Sequence, residues 1–189
     1  ALEFLQTAGI DVVPPLAAAA QRCCGFAGGS FLITRAIQDA ASVETWLRDR
    51  SEGRTSIEAR RVQRGLRALA ALVRRMHDLG FAAHDLYFRN ILAAPVDAPA
   101  LTFRFVMLDF PSATIPQEAS PVSFRRAAYD LAALDKDAPR YLTRTDRVRF
   151  FAAELGRGEG PAERPLPALN EKIRTRQLEK RASKKLARE

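Results

Sequence analysis

Three patterns in the chain predict an α+β fold. Apolar residues Val62, Leu66, Leu69, Leu72, Val73, Met76 and Leu79 recur at three- and four-residue steps, which makes one long amphipathic helix. Two pairs of short apolar runs, 16–24 with 30–36 and Ile91–Ala93 with Phe103–Leu108, read as strands joined by turns. Shorter helical patterns follow at about 122–135 and 145–155. Helices and antiparallel strand pairs in separate blocks, without βαβ alternation, give the α+β order.

Each element has a local reason. Residues 1–9 end a helix near Gly9, and the prolines Pro14 and Pro15 make 12–15 extended or turning. The segment Gly25-Phe26-Ala27-Gly28-Gly29 lacks the G-x-G-x-x-G spacing and no helix follows it directly, so it reads as a hairpin turn and not a phosphate cradle. A short helix is expected around Ala41–Arg48. The long helix opens on a capping box, Thr55-Ser56-Ile57-Glu58, and closes on Gly80 as a left-handed cap. A Pro- and Gly-rich break, Gly156–Pro167, precedes a basic tail. The division expected is 1–40 for a small sheet remnant and linker, 41–160 for the main body, and 161–189 for a basic helix.

Composition narrows the function classes. With 47% hydrophobic residues in 189, the chain can bury a sizeable core. No apolar run approaches a membrane span. Cys23 and Cys24 are adjacent and without partners, which excludes a disulfide framework or a zinc site and suits a reducing compartment. The start has neither Met nor a targeting pattern and reads as mid-domain sequence. The formal charge of +8 is concentrated in the tail, where 170–189 hold four Lys and four Arg against three Glu. Interspersed acids and the thin stripe Ile173, Leu178, Ala182, Leu186 suit a solvated helix. An anionic membrane surface is the specific alternative, and the missing aromatics argue against nucleic acid.

The chemistry gathers after the long helix. The loop His84-Asp85-Leu86-Tyr87-Phe88-Arg89-Asn90 carries the D-x-x-x-x-N spacing of a phosphoryl-transfer loop. In that arrangement Asp85 accepts or orients the proton of an attacking hydroxyl, and Asn90 holds a metal through its amide oxygen. Val106-Met107-Leu108-Asp109-Phe110-Pro111 then supplies a carboxylate directly after an apolar strand, where a Mg²⁺ ligand sits. Asp109, Asn90 and the phosphates of ATP suffice for Mg²⁺, which takes one or two carboxylates plus phosphate oxygens. His84 stands where protein kinases carry Arg, and Ala83 holds the usual His position. Roles in orienting the loop, touching the acceptor or simply packing all stay open for His84. Arg89 is a candidate for acceptor or phosphate contact, or simply an exposed loop arginine.

The run Met76-His77-Asp78-Leu79-Gly80-Phe81, with His84–Asn90 and Leu108-Asp109-Phe110-Pro111, resembles the lipopolysaccharide kinase family. Ala8-Gly9-Ile10, Tyr129-Asp130-Leu131-Ala132 and 141–147 extend the similarity over about residues 5–155. The resemblance implies a protein-kinase-like fold, mainly the helical large lobe with remnants of the small-lobe sheet. It implies ATP-dependent, Mg²⁺-assisted phosphorylation of a Kdo or heptose hydroxyl. By position, Asp85 would be the catalytic Asp and Asn90 and Asp109 the metal ligands. Asp130 would brace the loop, while Thr34, Arg35, Ala36 and Ile37 would form the hinge along the adenine edge, with Leu92 beneath the ring.

The departures are equally specific. No lysine precedes Lys136 and no Gly-rich loop is present, so the strand lysine that grips the α/β-phosphates is expected upstream of Ala1, in a small lobe that this chain lacks. The leading expectation is a cytoplasmic sugar kinase, peripheral at the inner membrane, acting on a lipopolysaccharide core sugar. The alternatives are a pseudokinase-like binding module without catalysis, and a kinase-like enzyme with another acceptor.

Overall fold

The structure, a computed structural model, describes residues 1–23, 26–55, 59–95, 103–118, 120–154 and 175. Helix α1 (Leu2–Thr7) ends on Gly9, whose φ of 70° turns the chain back on itself. The N–H groups of Gly9 and Ile10 then donate to the carbonyls of Gln6 and Leu5 at 3.0 and 2.9 Å. This double bond pattern is the Schellman closure that glycine permits at a positive φ.

Strands β1 (Pro15–Cys23) and β2 (Phe26–Thr34) form an antiparallel ribbon. The expected second strand began at residue 30, but Gly28 and Gly29 lie inside β2. The register passes from Gln21 opposite Gly29 to Arg22 opposite Ala27, so Gly28 is the extra residue of a bulge. The ribbon ends at Thr34 and not at residue 36. Arg35 N–H still reaches the Pro14 carbonyl at 2.9 Å, but Pro14 and Pro15 have no N–H to return. Leu16, Phe31, Leu32 and Ile33 on this ribbon are exposed.

The short helix begins later than expected because a two-residue strand precedes it. Strand β3 (Ala41–Ser42) pairs with Leu92 and Ala93, and helix α2 (Val43–Ser51) starts directly after it. The Ser42 hydroxyl caps α2 by accepting the Thr45 N–H at 3.0 Å. Helix α3 (Ala59–Asp78) is the long helix, and it buries Val62, Leu66, Leu69, Val73 and Met76 on one face. Residues 56–58 of the expected capping box lie outside the described residues, as do 24–25 and most of the basic tail.

Strands β4 (Ile91–Pro95) and β5 (Phe103–Met107) form the second hairpin, with Ile91 opposite Met107. Both of its edges are used. Strand β3 lies along β4, while Val12 bridges Met107 in parallel, with Val13 N–H to the Met107 carbonyl and Met107 N–H to the Asp11 carbonyl, each 2.9 Å. The entry and exit of the β1–β2 ribbon therefore flank the β4–β5 hairpin. Helices α4 (Phe124–Asp135) and α5 (Arg144–Glu154) complete the body. A bidentate pair between Arg147 and Asp135 ties them together, with Nε to Oδ1 at 2.6 Å. Among the described residues no helix is long and apolar enough to cross a membrane.

Helix α3 ends as the sequence predicts. Gly80 has φ 81°, and Gly80 and Phe81 N–H donate to the His77 and Met76 carbonyls at 3.0 Å each. A Cβ on Gly80 would lie 2.4 Å from the Ser120 carbonyl oxygen and 3.0 Å from Pro116 Cβ. Gly80→Ala should therefore cost about 1–3 kcal/mol. Gly29→Ala, where nothing lies within 4 Å of the new Cβ, should stay within about 0.5 kcal/mol. Urea unfolding of both variants checks the contrast, and equal midpoints would refute it.

Candidate active site

The loop between α3 and β4 is held by one buried carboxylate. Asp130 on α4 is fully buried, and its two oxygens accept the backbone N–H groups of Ala83 at 2.8 Å and His84 at 2.7 Å. His84 takes φ 61°, a conformation that a non-glycine residue adopts only when its surroundings hold it there. The ring of His84 reaches Thr114 Oγ at 2.9 Å. Backbone bonds between Ala82 and Thr114 run in both directions, at 3.2 and 2.8 Å. Of the roles left open for His84, orienting the loop is the one this geometry carries.

Asp130 is itself held by His77, whose Nε2 lies 3.2 Å from Asp130 Oδ2 while its Nδ1 lies 2.9 Å from Glu154 Oε1. All three side chains are buried. With a carboxylate on each ring nitrogen, the imidazolium form donates two hydrogen bonds. Burial by itself would lower the His77 pKa. Hydrogen bonds to Asp130 and Glu154, with the charges of both carboxylates, outweigh it and raise the value to about 9.

Asp85 is half-buried; its carbonyl accepts Asn90 Nδ2 at 2.9 Å, so the five-residue spacing closes into a fixed turn. Asn90 ends the 3-10 turn Phe88–Asn90, and its carbonyl accepts the Leu108 N–H at 3.0 Å. That bond sets Asn90 beside the end of β5, next to Asp109, which is exposed. Phe110 anchors this corner in the core, edge-on to Phe81 at 5.7 Å, and Phe81 stacks on Phe4 at 5.9 Å. Leu92 is half-buried in β4 between Val106 and Ser42. Thr34 ends β2, and the segment through Arg35, Ala36 and Ile37 runs on to β3, which links it to Leu92. The Asn90 side chain is thus bonded to the Asp85 carbonyl and the Asn90 carbonyl to Leu108, the residue before Asp109, while the 34–37 segment leads to β3, which pairs with Leu92.

The residues that sequence reasoning leaves without a role are His77, Glu154 and Thr114. His77 carries a signal, since a histidine on the buried stripe next to Met76 needs a polar partner. Glu154 and Thr114 carry none, because their partners lie 77 and 30 residues away.

A fold of this kind, with a braced Asp–Asn loop and an acidic corner after a hairpin, defines a kinase-like phosphotransferase. The profile of the lipopolysaccharide kinase (Kdo/WaaP) family matches residues 1–153, and the chain belongs to this family. It is accordingly a lipopolysaccharide core kinase, a phosphotransferase that acts on a sugar hydroxyl. Among solved structures, WaaP in complex with acyl carrier protein aligns at TM-score 0.69 and 25% identity, over 94% of this chain and 72% of that one. A Rio2 kinase from Chaetomium thermophilum, solved as an ADP/Mg²⁺-phosphoaspartate complex, aligns at TM-score 0.49 and 14% identity, over 93% of this chain and 52% of that one. No curated protein matches the chain.

His77 makes stability depend on pH. Its folded pKa lies above the ordinary 6.5, so the stabilisation is fully present below pH 6.5 and is lost as pH rises through about 9. The loss should be on the order of 3 kcal/mol. In His77→Gln this alkaline decline should flatten, and the variant should be less stable at pH 6. Denaturant midpoints between pH 6 and 10 measure both effects, and parallel curves for the two proteins would contradict the assignment.

Proposed function

We propose that the chain transfers a phosphoryl group from Mg-ATP to a Kdo or heptose hydroxyl of the lipopolysaccharide inner core, with Asp85 as the catalytic residue. The supporting observation is the closed turn from Asp85 to Asn90 lying beside Asp109 through the bond from Leu108 N–H to the Asn90 carbonyl. Asp85, half-buried in the loop, would accept or orient the acceptor hydroxyl proton. Asn90 donates its Nδ2 to the loop, which leaves Oδ1 as the amide atom to meet a cation. With the Asp109 carboxylate it makes two hard oxygen donors, a set that suits Mg²⁺. Among the described residues no cluster of three or more His, Cys, Asp or Glu would hold a metal alone. A cation at Asn90 and Asp109 would therefore draw its other ligands from phosphate and water, and when bound it would neutralise charge on the phosphates.

In this reading residues 1–40 carry the small-lobe remnant and hinge, with Thr34, Arg35, Ala36 and Ile37 along the adenine edge and Leu92 beneath the ring. Residues 41–160 form the catalytic lobe. The basic tail, 161–189, would meet anionic lipid at the cytoplasmic face of the inner membrane.

Thermal unfolding with about 5 mM Mg-ATP tests the site. A ligand with a Kd of about 0.5 mM should add roughly 1.4 kcal/mol, and Asp109→Asn should lose that gain. Asp85→Asn should keep the nucleotide shift while transfer to the sugar falls by about 10²-fold or more. A nucleotide shift without transfer to any sugar would favour the binding-module reading instead.

A further inference from the structure

We propose that Thr114 is a positioning residue for phosphoryl transfer, which through the His84 ring holds the corner that carries Asp109 against the loop that carries Asp85; this rests on the kinase reading above. Thr114 Oγ lies 2.9 Å from His84 Nε2. The Thr114 N–H donates to the Ala82 carbonyl at 2.8 Å, and the Thr114 carbonyl accepts the Ala82 N–H at 3.2 Å. Thr114 therefore grips the loop with its side chain and with both of its backbone groups. One of the residues it grips, His84, directly precedes Asp85.

The corner is tied to the loop at both ends, and the two ties serve different residues. At the near end Leu108 N–H donates to the Asn90 carbonyl at 3.0 Å, next to Asp109. At the far end Thr114 reaches Ala82 and His84. Loss of the far side-chain bond leaves the near tie in place, where a cation and its nucleotide would be held. What it frees is the His84 ring, and with it the backbone leading into Asp85. A defect in the transfer step with nucleotide binding preserved follows from this division.

The chemistry of the pair suits a permanent joint. A hydroxyl both donates and accepts, so it satisfies His84 Nε2 whether or not that nitrogen carries a proton. A carboxylate at 114 would match only the protonated nitrogen, and an aliphatic side chain would match neither form. Both residues are half-buried, which limits the water that can replace the bond. His84 also stands at φ 61°, held there by Asp130 on its N–H at 2.7 Å and by Thr114 on its ring. With the ring released, one of these two restraints is gone and the backbone before Asp85 can relax. Transfer is steep in geometry, since a displacement of about 1 Å costs about 10²-fold in rate.

Thr114→Val keeps the β-branched shape and removes the hydroxyl, so it isolates the bond. With Mg-ATP and Kdo or heptose as acceptor, its kcat should fall by about 10- to 100-fold, while the KM for Mg-ATP stays within about twofold. Thr114→Ser keeps the hydroxyl and should recover most of the rate. His84→Asn tolerates the positive φ and should also be slow. Joining it to Thr114→Val should add less than about twofold, as for two members of one contact. Amide exchange over 80–86 and 112–116 reads the joint without any transfer. It should quicken about tenfold in Thr114→Val and return in Thr114→Ser. Wild-type kcat in Thr114→Val, a loss that Thr114→Ser does not rescue, a Mg-ATP KM that rises in step, or additive single effects would each overturn the proposal. Unchanged exchange in Thr114→Val would overturn it too. A wild-type chain that transfers to neither sugar sinks the kinase reading alone, and the exchange contrast then decides the joint by itself.

Discussion

The carboxylate of Asp130 and the two backbone N–H groups it accepts, from Ala83 and His84, are the contact on which the site depends. A fully buried carboxylate is tolerable only when its oxygens are satisfied and its charge is met. The loop satisfies the oxygens, and His77 meets the charge. Glu154 lies 2.9 Å from the other ring nitrogen, so neither N–H of the buried imidazolium is left without an acceptor. The chain of requirement therefore runs from α5 through α3 to α4 and ends at the backbone of Ala83 and His84. Removing His77 leaves two buried carboxylates without a counter-charge, which costs on the order of 3–5 kcal/mol. Loop geometry and the docking of three helices are in this sense one interaction.

The second constraint is topological. In an antiparallel hairpin the start of the first strand lies beside the end of the second. Asn90 immediately precedes β4 and Asp109 follows β5, so pairing Ile91 with Met107 brings these two residues to one end of the hairpin. The outer edges of the pair are closed by Val12 and by β3, so the ladder cannot slide without breaking both neighbours.

This explains what was legible in the sequence. Asp85 and Asn90 were readable because a five-residue spacing is a local property of one loop. Asp109 was readable because an apolar run ending in an acid marks a strand end. Gly9 and Gly80 marked helix ends because only glycine takes those φ values freely. What stayed hidden depends on long-range pairing. Strand β3 is two residues long and exists only because β4 offers it partners. The bulge at Gly28 is a property of the register with β1, and the same glycine reads as a turn without that register. Glu154 looks like any helix-end acid until α5 docks beside His77. Thr114 was invisible for the same reason, since its partner His84 lies 30 positions away.

The acidic corner shows how burial divides labour between carboxylates. Asp130 is buried and committed to the protein, while Asp109 is exposed. What fixes Asp109 is the residue after it. Phe110 is buried edge-on against Phe81, and Pro111 both sets its own φ and keeps Phe110 out of the helical region. Ala82 and Thr114 then bond the far side of the corner to the catalytic loop. A glycine at 111 would free the backbone, and the corner could swing between orientations. With proline there, the orientation of Asp109 is set by covalent geometry and aromatic packing before any ligand arrives. The loop and the corner are thus pre-organised together.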